Sequence, residues 1–144
     1  MKRTGFITLC ILALILTACA SATTGQPTVE VVGEKVFVEG SSYMDVSVAE
    51  LQIMLANKDF TFINVHIPFE GNIAGTDLSI AYDQIDQHLD QLPADKNAKI
   101  VLYCRSGRMS AIAAETLIGL GYTNLWNLAG GMAAWEQADL KIDR

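Results

Sequence analysis

Residues 99–114 read KIVLYCRSGRMSAIAA, and a change of period inside that stretch decides the fold. Lys99 to Tyr103 is a short apolar run entering directly on Cys104, the pattern of a strand buried on both faces. Beyond the cysteine, Met109, Ile112, Ala113, Leu117 and Leu120 recur at three- and four-residue intervals, and Gly121 supplies a left-handed stop. The reading is strand, cysteine loop, helix. Open α/β sheets place their ligands at such a carboxyl end. The turn Cys104-Arg105-Ser106-Gly107-Arg108-Met109 can aim successive backbone N–H groups at its own centre, with Gly107 free to take an unusual conformation. Such a concavity stabilises negative charge. The helix dipole and the guanidinium groups of Arg105 and Arg108 are expected to lower the cysteine pKa below its free value of about 8.5.

The flanks repeat the alternation of strand and helix. Ser47-Val48-Ala49-Glu50 is a capping box, and Val48, Leu51, Met54 and Leu55 give the helix behind it one apolar stripe. Phe60 to Val65 reads as a buried strand that Pro68 prevents from continuing. Leu78 to Ala81 suggests a short strand, and Asp83 to Leu92 a helix, with Ile85, Leu89 and Leu92 at helical spacing before Pro93. Asn124 to Leu128 is a last short strand, followed by Gly130-Gly131 and a terminal helix containing Trp135. The implied fold is α/β, a small mostly parallel sheet with helices on both faces, over residues 43–144. Trp126 and Trp135 are expected in the core, and His88 on the surface. Upstream, Val29, Val31, Val32, Val36 and Val38 flank Gly33-Glu34 as in a small hairpin with glycine first in its turn.

The N-terminus has a different character. Lys2 and Arg3 precede an uncharged run from Thr4 to Ala18, too short for a spanning helix of about 20 apolar residues. Leu16-Thr17-Ala18-Cys19 resembles the bacterial lipobox, so residues 1–18 read as a lipoprotein signal and Cys19 as a lipid attachment site. Residues 19–42 then form the tether and possible hairpin, small and polar from Ala20 to Thr28. The protein is expected to be exported, extracytoplasmic and held to a bacterial membrane by lipid on Cys19. Cys10 would leave with the signal and Cys19 would be consumed, so Cys104 is the one remaining thiol. In a compartment where thiols are usually paired, that marks it for chemistry. Without Lys2 and Arg3 the formal charge of −6 becomes roughly −8, which argues against nucleic acid as a partner.

Residues 101–114 (VLYCRSGRMSAIAA) together with 128–135 (LAGGMAAW) resemble the active-site strand, loop and helix and the Gly-Gly and Trp element of the rhodanese superfamily. The resemblance implies a sulfurtransferase. Cys104 would attack the outer sulfur of an anionic donor such as thiosulfate, carry it as a persulfide and pass it to cyanide or a thiol. Arg105, Ser106, Gly107, Arg108, Met109 and Ser110 would form the substrate-binding loop, its amides holding the persulfide and its arginines the anion. A basic loop leans towards thiosulfate rather than mercaptopyruvate.

The pattern also departs from the family. The common Asp-Val-Arg appears as Asn64-Val65-His66, and the segment after it is compressed to Glu70-Gly71-Asn72-Ile73-Ala74-Gly75-Thr76, without its usual charged pair. His66 is a candidate to line the site in their place. The second arginine is at 108, where many family loops have it one position later. Phosphatases sharing the fold use Cys-x5-Arg, but six positions beyond Cys104 stands Ser110. The alternative to an enzyme is a non-enzymatic or persulfide-carrying module that binds a partner protein at the envelope. Neither metal-ligand spacing nor a phosphate loop or dinucleotide fingerprint is present, so no metal and no cofactor are expected.

Overall fold

The computed structural model describes residues 30–144. In chain order the elements are β1 (Glu34–Val38), β2 (Ser41–Val46), α1 (Val48–Ala56), β3 (Thr61–Asn64), β4 (Asn72–Ile73), β5 (Leu78–Ser79), a 3-10 turn (Ile85–His88), β6 (Ile100–Tyr103), α2 (Arg108–Gly119), β7 (Leu125–Leu128), α3 (Gly131–Gln137) and β8 (Ile142–Asp143). Six strands make one sheet in the order β1-β2-β7-β6-β3-β5. Only β1 and β2 run antiparallel; every other pairing in this sheet is parallel. The fold is mixed α/β with a mostly parallel sheet and helices on both faces, as the alternation of elements implied.

Strand β6 shows why its sequence lacks polar alternation. It lies between β7 and β3, and Ile100, Val101, Leu102 and Tyr103 are all fully buried. Successive side chains point to opposite faces. Ile100 and Leu102 join Ile63, Ile85, Ala113, Ala114 and Leu117 in one core. Val101 and Tyr103 join Leu51, Met54, Phe62, Met132 and Trp135 in the other. Helix α2 therefore covers one face, while α1 and α3 cover the second. Both cores meet at β6, so the strand that ends on Cys104 is held from both faces.

Two local expectations are corrected. The expected hairpin about Gly33-Glu34 does not form among the described residues; β1 pairs instead with β2 through a turn at Glu39-Gly40, both of positive φ, 38° and 83°, with Val38 opposite Ser41. That is the two-residue turn whose twist suits a hairpin. Gly33 also has positive φ, yet for a different reason, since a Cβ there would crowd Met44, Trp126 and the Asp45 carbonyl at 3.1–3.2 Å. Between Asp83 and Leu92 only the 3-10 turn forms. Its surroundings are closed by three-residue bonds, Gln87 N–H to Gln84 O at 2.9 Å and Gln91 N–H to His88 O at 3.0 Å. The segment is short for helix nucleation, Gln84 provides no side-chain cap, and Asp90 places negative charge where a helix dipole opposes it. Ile85 and Leu92 are still buried, so the apolar spacing reported burial correctly while overstating regularity.

The capping box at α1 has an added duty. Glu50 Oε2 accepts from Ser47 N–H at 2.8 Å, and Ser47 Oγ accepts from Glu50 N–H at 3.3 Å. The other carboxylate oxygen accepts from Val32 N–H at 3.0 Å and Gly33 N–H at 2.9 Å, binding the incoming chain to the helix. These donors, the Gly33 and Ser47 amides foremost, pull the Glu50 carboxyl from its ordinary 4.5 down to about 2. Because the folded value lies below the unfolded one, the contribution to stability is full above pH 4.5 and disappears as pH falls towards about 2. Glu50→Gln is expected to cost about 1–2 kcal/mol in urea unfolding at neutral pH and to flatten the stability profile across that acid window.

Candidate active site

The site begins where β6 ends. Cys104 is 1% exposed, and its Sγ accepts a hydrogen bond from Gly107 N–H at 3.1 Å, while the single Ser110 hydroxyl proton is shared between Sγ at 3.4 Å and the Gly107 carbonyl oxygen at 3.1 Å. Gly107, at φ 94°, is the N-cap residue of α2, and this left-handed conformation lets the loop close around the sulfur. Burial pushes the thiol pKa up, but the Ser110 hydroxyl and the amides of Ser110, Ser106 and Gly107 outweigh it, and the net shift is downward. The lowering comes from hydrogen bonds aimed at sulfur, which together exceed the largest single effect, burial. The inward loop amides act as expected, while the arginine charges expected to assist them are not among the causes.

What holds the loop in that attitude is α3. Met132 N–H donates to the Cys104 carbonyl and Ala133 N–H to the Arg105 carbonyl, both at 2.9 Å. In a planar trans peptide the N–H points opposite to the C=O. Anchoring the Arg105 carbonyl on α3 therefore turns the Ser106 N–H the other way, towards the loop interior. The Gly130-Gly131 pair makes this approach possible. A Cβ on Gly131 would stand 2.2 Å from the Cys104 carbonyl oxygen and 2.7 Å from the Arg105 carbonyl carbon, and its φ is 57°. Trp135, 6% exposed, seals the same helix into the core and donates its indole N–H to the Lys141 carbonyl at 3.1 Å.

In front of the sulfur is an open pocket of about 330 Å³ lined by His66, Cys104, Arg105, Ser106, Arg108, Met109 and Ala133. The structure thus brings His66 together with most of the loop and places both arginines at the rim. Gly107 and Ser110 lie outside that lining and act on the sulfur from behind. Cys19 falls outside the described residues. Sequence reasoning missed two residues, Ala133, which the α3 contact carries into the pocket, and Glu70. The Glu70 carboxylate bonds Arg105 Nη1 at 2.6 Å, and its other oxygen lies 3.6 Å from His66 Nε2. Burial pushes the Glu70 carboxyl up, but the charge and hydrogen bond of Arg105, with a smaller contribution from His66, outweigh it and hold the carboxyl below its ordinary value. A charged pair is therefore present here, rebuilt between residues 35 positions apart.

The segment carrying His66 and Glu70 is tied to the end of β6. Tyr103 Oη accepts from Ile73 N–H at 3.0 Å and shares a bond with Thr76 Oγ1 at 2.7 Å. Buried Asn64 donates to the Gly71 carbonyl at 2.9 Å and to Asn72 Oδ1 at 3.0 Å, while its own oxygen accepts from His66 N–H at 2.9 Å. Asn64 is a backbone organiser, and its bond to the His66 N–H fixes the backbone at that residue.

With this geometry in view, the comparisons are informative. Residues 49–138 match the rhodanese-like domain model. The chain belongs to the rhodanese-like domain family. A sulfurtransferase from Allochromatium vinosum is 31% identical over 94 residues, covering 63% of this chain and 85% of that one. A thiosulfate sulfurtransferase from Pseudoalteromonas translucida is 26% identical, over 72% of this chain and 99% of its own. Among solved structures, a rhodanese-like domain protein from Staphylococcus aureus superposes with a TM-score of 0.58 at 29% identity, covering 69% of this chain and 98% of that one. Some relatives are much longer, and the chain spans only 18% of an adenylyltransferase and sulfurtransferase from Candida albicans.

The grip of α3 on the loop is directly testable. Gly131→Ala forces its Cβ against two loop carbonyl groups and is expected to cost about 2–4 kcal/mol in denaturant unfolding, whereas Ala133→Gly should cost under about 1.5 kcal/mol.

Proposed function

We propose that this rhodanese-like domain is a sulfurtransferase that moves sulfane sulfur through a persulfide on Cys104, from an anionic donor such as thiosulfate to a thiol or cyanide. The observation that carries the reading is the buried Cys104 sulfur facing a pocket while accepting bonds from Gly107 and Ser110. The Cys104 thiolate attacks the outer sulfur of thiosulfate. A bond forms from Sγ to that sulfur, the S–S bond of thiosulfate breaks, and sulfite leaves with the electron pair. The transferred sulfur then carries the negative charge within reach of the loop amides. Attack by an acceptor on the same sulfur returns the electron pair to Sγ and restores the thiolate.

The two arginines divide the recognition of the anion. Arg105 shares its charge with Glu70, whereas Arg108 is exposed at the rim and makes no ion pair among the described residues. Arg108 is accordingly the main electrostatic attractant for the donor, and Arg105 a more neutral wall. Names of relatives that include thiosulfate sulfurtransferases support thiosulfate as the first donor to test. The signal-like N-terminus supports an exported protein anchored through lipid on Cys19, and Cys19→Ser is expected to release it from the membrane fraction.

Treating the mature protein with thiosulfate should raise its intact mass by one sulfur atom. Cys104→Ser should gain nothing, and cyanide should return the loaded protein to its starting mass with release of thiocyanate. Equal gain in both proteins would remove Cys104 from the chemistry. No gain in either would favour a binding module. Arg108→Ala is expected to slow loading about tenfold by weakening attraction of the dianion, with the deficit shrinking in low-affinity, saturating donor.

A further inference from the structure

Two arginines line the pocket in front of Cys104, but they do not bring equal charge to it. Arg105 Nη1 donates to Glu70 Oε2 at 2.6 Å, whereas Arg108 makes no ion pair among the described residues. Burial opposes ionisation of Glu70, but the charge and hydrogen bond of Arg105 outweigh it, so the carboxylate is ionised at neutral pH. The Arg105–Glu70 pair is therefore close to neutral as a unit. Two negative charges, the Cys104 thiolate and Glu70, face two positive ones, Arg105 and Arg108, before any donor arrives. Every charge on the donor adds to a balance that is already even, in a chain of net charge −6. The space suits more than an inorganic ion. At about 330 Å³, with Met109 and Ala133 on its wall, the pocket has the size and the apolar surface of sites that take organic ligands.

Resting on the sulfur-carrier reading above, we infer that Glu70 sets the charge of the donor. By cancelling Arg105 it fits the pocket to a sulfane donor with one negative charge and an organic group, and lowers its preference for the dianion thiosulfate. Organic thiosulfonates and organic persulfides share that chemistry, a terminal sulfur bearing a single charge. With a thiosulfonate R–SO₂–S⁻, the Cys104 thiolate attacks the terminal sulfur and a bond forms from Sγ to it. The S–S bond of the donor breaks, and the sulfinate R–SO₂⁻ leaves with the electron pair. The loaded state is the same Cys104 persulfide that thiosulfate would give, and charge is conserved. A dianion gains most from two uncompensated cations, and Glu70 withholds the second. Glu70 touches no substrate in this scheme. It acts through Arg105, as a residue that positions the guanidinium and sets its effective charge.

The test compares two donors that differ by one charge. Methanethiosulfonate has a methyl group where thiosulfate has a charged oxygen, and both offer the same terminal sulfur. Wild type and Glu70→Gln are loaded with each donor in single turnover at one pH, and loading is followed by intact mass. Gln keeps an oxygen that can accept from Arg105, and it replaces a side chain 36% exposed, so the change removes charge and spares the fold. Glu70→Gln is expected to raise the ratio of the thiosulfate to the methanethiosulfonate loading rate about fivefold at about 10 mM salt. The gain should fade near about 1 M salt, where the screening length falls to about 3 Å. An unchanged ratio, or a gain that persists at high salt, would overturn the inference while leaving Cys104 as a carrier. A wild type that loads from neither donor would overturn the carrier reading, and this inference with it.

Discussion

Two hydrogen bonds, from the Met132 and Ala133 amides to the carbonyls of Cys104 and Arg105, fix which way the loop faces. With the Arg105 carbonyl turned out towards α3, peptide planarity turns the next amide inward, and the Cys104 sulfur becomes the focus of donors. The device is made of backbone, so it tolerates many side chains at the rim but very few at the contact. Gly131 is one of those few positions, because its Cα passes where any Cβ would strike the loop. Gly107 is another, since its left-handed φ brings an amide onto Sγ.

The second constraint is the rigidity of β6. Its four residues contribute alternately to two buried cores, so the end of the strand cannot move without disturbing both. Tyr103 extends that rigidity sideways by bonding Ile73 and Thr76, which holds the segment with His66 and Glu70 against the pocket. The charge balance of the rim follows from this. Glu70 neutralises part of Arg105, leaves Arg108 without an ion pair among the described residues and faces His66, in a chain of net negative charge. The hydrogen bonds to the sulfur and the positive charge at the rim are therefore carried by different groups.

Much of this was legible from residues near one another in the chain. The period change at Cys104 located the strand, loop and helix, the capping box located α1, and Gly121 ended α2 with the expected positive φ. Such features are local, and local rules reach them. The Glu70–Arg105 pair was not legible, because it spans 35 positions and depends on the network that folds residues 64–76 onto β6. The loop amides were legible as stabilisers of a thiolate, whereas the part also given to the two arginines is absent, and what aims each amide, the grip of α3 on the carbonyl before it, lies too far along the chain to be read locally. The misplaced hairpin turn shows a third limit, since Gly33 and Gly40 both have positive φ and only strand pairing distinguishes close packing from a turn.

The central claim is that hydrogen bonds from the loop hold negative charge on the Cys104 sulfur. Its most direct measurement is an ultraviolet thiolate titration of the mature protein, taken as the difference from Cys104→Ser and repeated in Ser110→Ala. The account predicts a midpoint below that of free cysteine, at about 8.5, and a rise towards it when the Ser110 hydroxyl is removed. A midpoint above free cysteine, unmoved by Ser110→Ala, would mean that burial prevails over the donors and would contradict it.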